Sequence, residues 1–235
     1  MKKRENRIQT LVMANALALV FLASAPGSAA GQEYSAEQAM VERAKLTFEK
    51  FVSDPNVGWG PSQAKNVMGI MIVPQLLRGA FIFGGAGGSG VFLARDKKTG
   101  TWSDPAFYVL GSASFGLQIG ADASEMVLLV LTRKGAETFL TTSFKLGGDL
   151  SVAAGPVGIG GKGATSLQTA DILAYSLAKG VFAGVSVEGA VVKTSNKSNE
   201  AYYGTGTRAS DILVARSATN RGAAELVEAV SKAMK

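Results

Sequence analysis

Glycine is concentrated between two apolar runs in FIFGGAGGSGVFLARD, residues 81–96. Within it, Gly85, Gly87 and Gly90 match G-x-G-x-x-G, the spacing of a dinucleotide-binding loop. Such a loop requires a helix directly after its glycines, because the helix N-terminus faces the pyrophosphate. The residues after Gly90 alternate like a strand instead. The motif therefore lacks its structural context, and the sequence argues against nucleotide binding.

The shape of a β-sheet gives these glycines a better explanation. Glycine inside strands marks bulges, tight bends or the close approach of another backbone. GGAGGSG (residues 84–90) is predicted to be a hairpin connection between two apolar strands, and GSASFG (111–116) and GIGGKG (158–163) are predicted to be bends. Each glycine costs about 0.5–1 kcal/mol relative to alanine in a regular element. So many glycines indicate that close approach is used, either for packing or for an apolar ligand such as an acyl chain.

Helical patterns occupy both ends of the remaining chain. Ser35 and Gln38 form a capping-box pattern at the start of a predicted helix over 35–53. A second helix is predicted over 221–234, where three apolar residues form one stripe, namely Leu226, Val230 and Met234.

The residues between the helices, 67–204, read as a β-rich body of short apolar and alternating runs. We therefore predict an α+β fold: a Gly-rich, mainly antiparallel, strongly curved β-sheet or half-barrel flanked by N- and C-terminal helices. A single domain is expected over 31–235.

The first 30 residues resemble a signal peptide. Four basic residues precede an uncharged, mostly apolar run over 11–25, and small residues at Ser28 and Ala30 suit a cleavage site. The apolar run is shorter than the ~20 residues that a transmembrane anchor needs. We expect cleavage near Ala30 and an exported protein that is periplasmic or associated with the cell envelope.

Composition excludes several classes of chemistry. The chain has no Cys and no His, which removes thiolate chemistry, the commonest general base and the commonest zinc ligand. Removing residues 1–30 takes away four basic side chains and one acidic one, and so lowers the net charge from +6 to +3. That balance is too weak to indicate nucleic-acid binding. We expect no enzymatic activity, no cofactor and no metal; a hydrolase that uses Asp or Lys is the remaining catalytic alternative.

Five long segments together resemble the SYLF domain: GIMIVPQLLRGAFIFGGAGGSGVFLARD, GTWSDPAFYVLGSASFGLQIGADASEMVLLVLT, SFKLGGDLSVAAGPVG, DILAYSLAKGVFAGVSVEGAVV and NEAYYG. The resemblance runs from about Val41 to the C-terminus. It implies phospholipid binding, since eukaryotic relatives bind phosphoinositides through this domain; yeast relatives also contact actin, and bacterial members are exported envelope proteins. It supplies no catalytic residues. No SH3 or FYVE module is recognised here, so actin binding is not expected to carry over.

Basic residues beside glycine turns or at segment starts are the candidates for holding lipid phosphates: Lys65, Arg78, Arg95, Lys97, Lys98, Arg133, Lys134, Lys145, Lys162, Lys179 and Lys193. Arg78, Lys162 and Lys179 rank first because flanking glycines let a headgroup approach the backbone. Lys65, Lys145 and the aromatic Trp102 complete the predicted lipid-binding set. The alternatives are ordinary solvated charges and a tryptophan in the core.

The sequence thus predicts a non-enzymatic module of the bacterial cell envelope that binds anionic phospholipid or a membrane surface through these basic residues. The alternative is a structural or protein-interaction protein of the envelope without a lipid ligand.

Overall fold

The computed structural model describes residues 35–57, 64–80, 83–115, 120–155, 170–178, 181–185 and 187–235. Helix α1 (Ala36–Ser53) begins after Ser35, whose Oγ accepts a hydrogen bond from the Gln38 N–H at 3.0 Å. The Gln38 side chain donates to the Gly222 carbonyl at 3.1 Å. The first half of the predicted capping box is therefore present, and the glutamine side chain ties the helix to the C-terminal region.

Within the described residues, nine strands form one sheet. They are β1 (Gly69–Ala80), β2 (Phe83–Ala94), β3 (Ala106–Phe115), β4 (Gly120–Val130), β5 (Ser143–Lys145), β6 (Val152–Ala154), β7 (Ile172–Ala178), β8 (Val181–Gly184) and β9 (Val191–Thr194). Their order is β5-β9-β3-β2-β1-β4-β7-β6, with β8 also paired to β7. Every pairing is antiparallel except β6 with β7.

The remaining helices are α2 (Arg133–Thr138), α3 (Asn196–Tyr203), α4 (Ala209–Leu213) and α5 (Ala224–Ala233), the last preceded by a 3-10 turn over Arg221–Ala223. The α+β class is confirmed, with a curled, half-barrel sheet and helices at both ends. None of the helices within the described residues is long and apolar enough to cross a bilayer.

Apolar cores fill both faces of the sheet. On one face, α1 and α5 pack against strand residues; this core includes Phe48, Phe51, Ile72, Val91 and Val230. On the other face, Phe139 stacks on Phe92 with ring centroids 3.8 Å apart. Burying a side chain of this size stabilises the fold by about 1.5–3 kcal/mol, so these two cores hold the sheet between its neighbouring layers.

The glycine-rich stretch lies inside a strand, so the predicted hairpin connection is wrong. Residues 84–90 belong to β2, and Gly111 with the four residues after it belongs to β3 instead of a bend. The third stretch, residues 158–163, lies outside the described residues.

A bulge in β1 explains two of these glycines. The register of β1 against β2 shifts between Ile72 and Gln75. A Cβ at Gly90 would lie within 2.3 Å of the Ile72 carbonyl oxygen, and one at Gly88 within 2.4 Å of the Gln75 carbonyl oxygen. Only residues without a side chain permit this approach, as expected where a bulged backbone comes close to its neighbour.

Candidate functional site

A basic cleft of about 710 Å³ lies at one end of the sheet, where β1 begins and β2 and β4 end. Three cationic side chains line it, together with polar and apolar groups: Lys65, Asn66, Val67, Met68, Arg95, Lys97, Gly100, Leu131, Thr132 and Ala170. We call this set of residues the basic cleft.

Backbone hydrogen bonds fix the walls of the basic cleft relative to one another. The Met68 N–H donates to the Val130 carbonyl and the Arg95 N–H donates to the Met68 carbonyl, both at 2.8 Å. The Leu131 N–H donates to the Asp171 carbonyl at 2.8 Å. The strand ladder thus extends past the strand ends, and it places Lys65 and Arg95 on connected backbone.

Arg95 is the most firmly held of the three cations. Its Nη1 donates to the Ala64 carbonyl at 3.1 Å, and its guanidinium carbon lies 5.9 Å from the centroid of the Trp102 ring. Arg95 and Trp102 also form an isolated β-bridge. Stacking of this kind contributes about 0.5–1 kcal/mol at exposed sites. The guanidinium is therefore oriented in advance, while Lys65 and Lys97 are exposed.

Lys97 lies on a tight loop, residues 96–101. The Asp96 carboxylate accepts hydrogen bonds from the Thr99 N–H at 3.1 Å and the Lys98 N–H at 2.7 Å. These two hydrogen bonds hold the pKa of Asp96 below its usual value, and the bond from Thr99 contributes most. Gly100 closes the loop with φ of +74°, a conformation that favours glycine. An ionised Asp96 thus shapes the loop through its own backbone.

A second carboxylate, Asp171, lies beside the cleft, and its oxygens already accept hydrogen bonds from neighbouring residues. It accepts from Thr132 Oγ1 at 2.6 Å and from the Ser151 N–H and Oγ at 3.0 and 2.9 Å. Burial works to raise the pKa of Asp171, but the hydrogen bonds from Thr132 and Ser151 outweigh it, and the pKa lies below the usual value. The Lys134 ammonium, 3.9 Å away, adds a smaller lowering effect.

The three cations of the basic cleft form no close ion pair within the described parts of the chain. Among those residues, Lys65, Arg95 and Lys97 have no carboxylate oxygen within 4.0 Å. Three positive charges around one concave surface attract anions, because a concave, low-dielectric wall concentrates their field. Arg95 presents donors in a fixed plane, which suits phosphate or carboxylate oxygens.

The predicted lipid-binding residues fall at different places. Lys65 lines the basic cleft, and Trp102 lies behind Arg95, only 6% exposed. Lys145 is exposed on β5, where its N–H donates to Asp149 at 2.7 Å, and it does not line the cleft. Arg78 is in β1, directly opposite Asp122 of β4 in the pairing register. Lys162 and Lys179 lie outside the described residues.

Arg95 and Lys97 belonged to the wider set of cations in the sequence but not to the smaller predicted one. The Lys97-Lys98 pair before Gly100 carries a usable signal, since a basic hairpin loop at a strand end is readable from sequence. The pairing of β1 with β4 is not, because β2 and β3 lie between these two strands in the sequence.

A second surface lies further along the same sheet. One register row crosses four strands through Leu77, Gly87, Gly111 and Val191. Leu77 is 55% exposed and Val191 44% exposed. A Cβ at Gly87 or Gly111 would meet nothing nearer than 3.9 Å. This row, here called the open sheet face, is about 26 Å from Arg95 at ~3.3 Å per strand residue, so it is separate from the basic cleft.

Comparison with known proteins identifies the family of the chain. Residues 111–233 match the family described as Ysc84, Las17-binding protein actin regulator. The chain belongs to the Ysc84, or SYLF, family. It is 34% identical over 185 residues to Protein YSC84 of Saccharomyces cerevisiae, an alignment that covers 74% of this chain and 39% of the relative.

Two further proteins are also similar to this chain. LAS seventeen-binding protein 3 of Saccharomyces cerevisiae is 36% identical over 160 residues, which is 66% of this chain and 34% of the relative. SH3 domain-containing YSC84-like protein 1 of Bos taurus is 32% identical over 145 residues, which is 61% of this chain and 42% of the relative. This member of the Ysc84 family thus spans about two fifths or less of the length of these three relatives.

The family model and the relatives cover different lengths of the Ysc84-family chain. The family model matches from Gly111 onward, after the three cations of the cleft. The alignment with Protein YSC84 covers 74% of the chain and is too long to leave out these cations. The descriptions of the family and of the yeast relative name binding to Las17 and regulation of actin. The geometry of the cleft is therefore the evidence for what it binds.

Proposed function

We propose that this protein is a non-enzymatic module that binds anionic phospholipid, with the basic cleft as the site for the phosphate headgroup. The observation that carries the proposal is the presence of three cations, without carboxylate partners among the described residues, around a concave surface. Near an anionic membrane surface each such cation contributes about 1 kcal/mol.

The lining of the cleft supports a lipid phosphate over a small inorganic anion. Its volume of about 710 Å³ is within the usual range for ligand pockets and far exceeds that of a single phosphate ion. Val67, Met68 and Leu131 supply apolar surface next to the cations. A phosphate esterified to a glycerol backbone presents both kinds of surface, so the mixed lining favours a headgroup together with the start of its hydrocarbon.

The proposed location is the bacterial cell envelope, after export and cleavage near Ala30. The support is the sequence of residues 1–30, which has a basic start, an apolar run and small residues at the cleavage position. Edman sequencing of the protein recovered from the envelope fraction tests this: a mature N-terminus at Gly31 is expected, and an intact Met1 contradicts it.

A second candidate is a protein-interaction module without a lipid ligand. The descriptions of the relatives favour it, because they name proteins that bind Las17. The exposed apolar side chains of the open sheet face also favour it, since patches of this kind often mark interaction sites.

Vesicle flotation separates the two candidates. The wild-type protein is expected to float with phosphatidylcholine vesicles that contain phosphatidylglycerol, to bind less as salt rises, and to ignore vesicles of phosphatidylcholine alone. The double variant Lys65→Glu/Lys97→Glu is expected to lose this binding, since both side chains are exposed and line the cleft.

The matched control is Lys197→Glu/Lys232→Glu, which makes the same change of charge at exposed positions away from the cleft. It is expected to keep most of the binding. Equal loss in both double variants would show a diffuse effect of net charge, and the absence of any lipid preference in the wild type would favour the protein-interaction module.

A further inference from the structure

Arg216 has a backbone conformation that arginine rarely adopts. Its φ is +53°, and among the described residues it is the one non-glycine with positive φ. The turn that contains it follows α4 and is closed by the Ser217 N–H, which donates to the Asp211 carbonyl at 3.0 Å. Glycine or asparagine would take this left-handed conformation at lower cost. Such a residue persists only where its surroundings over-determine it, often at functional sites.

The Arg216 side chain reaches the loop that carries Lys97. Its Nη1 donates to Thr101 Oγ1 at 2.5 Å and its Nη2 donates to the Thr101 carbonyl at 3.1 Å. Two donors of one planar guanidinium thus hold a single residue, which fixes orientation as well as position. The positive charge of Arg216 also helps to lower the pKa of Asp96, after the loop's own backbone hydrogen bonds from Thr99 and Lys98.

The loop ends at Thr101, the residue to which Arg216 donates. Its first and last residues are joined by the Asp96 N–H, which donates to the Thr101 carbonyl at 2.9 Å, and the Gly100 N–H donates to the Asp96 carbonyl at 2.8 Å. Lys97 and Gly100 line the basic cleft, whereas Arg216 does not. Arg216 therefore contacts the base of the loop without contacting the space in which an anion would lie.

We propose that Arg216 is a positioning residue: it clamps the loop over residues 96–101 and so holds Lys97 at the rim of the basic cleft before an anion binds. This inference rests on the proposed function of the cleft. Without the clamp, the loop would have to be ordered at the moment of binding, and ordering a long side chain and its loop lowers affinity. The unfavourable φ of Arg216 is the cost of placing a guanidinium at this point.

The variant Arg216→Gly tests the clamp, because glycine suits the backbone and removes only the side chain. We expect its Tm to stay close to that of the wild type, because relief of the left-handed conformation offsets the two lost hydrogen bonds. Its affinity for phosphatidylcholine vesicles containing phosphatidylglycerol is expected to fall about two- to tenfold, the range that corresponds to ordering one rotamer-rich side chain. Amide hydrogen exchange at Asp96 and Gly100 is expected to become faster, while exchange in β1 and β4 stays the same.

Thr101→Val separates positioning from a direct effect of charge. It removes the hydroxyl that accepts from Arg216 and that also hydrogen-bonds Thr99 Oγ1 at 2.8 Å, and it leaves the charge of Arg216 in place. Part of the loss seen in Arg216→Gly is therefore expected. Unchanged amide exchange in Arg216→Gly would overturn the proposal. So would a lower Tm of Arg216→Gly with unchanged affinity for the vesicles. A loss of affinity in Arg216→Gly with no loss at all in Thr101→Val would overturn it as well. If the wild type does not bind these vesicles, the proposed function fails, and the exchange data still decide whether the clamp exists.

Discussion

Two glycines of β2 should respond oppositely to the same substitution. Gly90 and Gly87 are three residues apart in one strand. An alanine Cβ at Gly90 would lie within 2.3 Å of the Ile72 carbonyl oxygen and 2.9 Å from Val73 Cγ2. One at Gly87 would have its nearest neighbour, the Leu110 carbonyl oxygen, at 3.9 Å, an ordinary contact distance.

The magnitude follows from these distances. Forcing a methyl group against the bulged backbone of β1 costs about 1–3 kcal/mol, as for other overpacked sites. Replacing glycine by alanine where there is room recovers about 0.5–1 kcal/mol. Gly90→Ala is therefore expected to lower the free energy of unfolding, Gly87→Ala to leave it equal or raise it slightly, and the two variants to differ by about 2–3 kcal/mol.

Thermal unfolding followed by circular dichroism measures this difference. For a domain of about 200 residues, 1 kcal/mol corresponds to about 2–4 °C in Tm, so the variants should differ by about 4–12 °C. Urea unfolding at room temperature provides the independent check. Equal Tm values for the two variants, or a lower Tm for Gly87→Ala than for Gly90→Ala, would contradict the requirement for glycine at position 90 where β1 approaches.

Two further predictions concern the carboxylate beside the basic cleft. Thr132→Val is expected to lower the free energy of unfolding by about 1–2 kcal/mol, because the hydroxyl both donates to Asp171 and caps α2 by accepting from the Gly135 N–H. Urea unfolding tests this expectation, and an unchanged midpoint of unfolding contradicts it. Since the pKa of Asp171 is lowered in the folded state, its ionised form stabilises the fold above the unfolded value of about 3.9, and this contribution is lost as pH falls through the lower folded value. Asp171→Asn should therefore show a smaller loss of Tm between neutral pH and about pH 3 than the wild type, whereas an identical acid dependence would show that Asp171 is not involved.

The fold class could be predicted from the sequence, because helical stripes at the ends and apolar alternation in the middle are local patterns. The role of the glycines could not. Gly88 and Gly90 are required by a bulge near Val73 in the neighbouring strand, and that contact appears only when β1 and β2 are paired. A cluster of glycines between apolar runs is typical of a turn, and that local signal led to the wrong hairpin.

The basic cleft could be predicted only in part. The position of Lys65 at a segment start is readable from the sequence, and the structure places this residue in the cleft. The other side of the cleft depends on where β2 and β4 end relative to β1. The same long-range pairing sets Arg78 opposite Asp122 in the register of β1 and β4. The sequence does offer the core as the alternative position of Trp102, and the structure buries this side chain. The contact of its ring with Arg95 is not readable from the sequence.

An NMR titration of the full chain with a short-chain phosphatidylglycerol that stays monomeric tests lipid binding at the basic cleft. We expect amide shifts to concentrate at Lys65, Arg95 and Lys97, to weaken as salt is added, and to be absent with the matching phosphatidylcholine. Shifts that concentrate instead at Leu77 and Val191 on the open sheet face, or that are equal for both lipids, would contradict it.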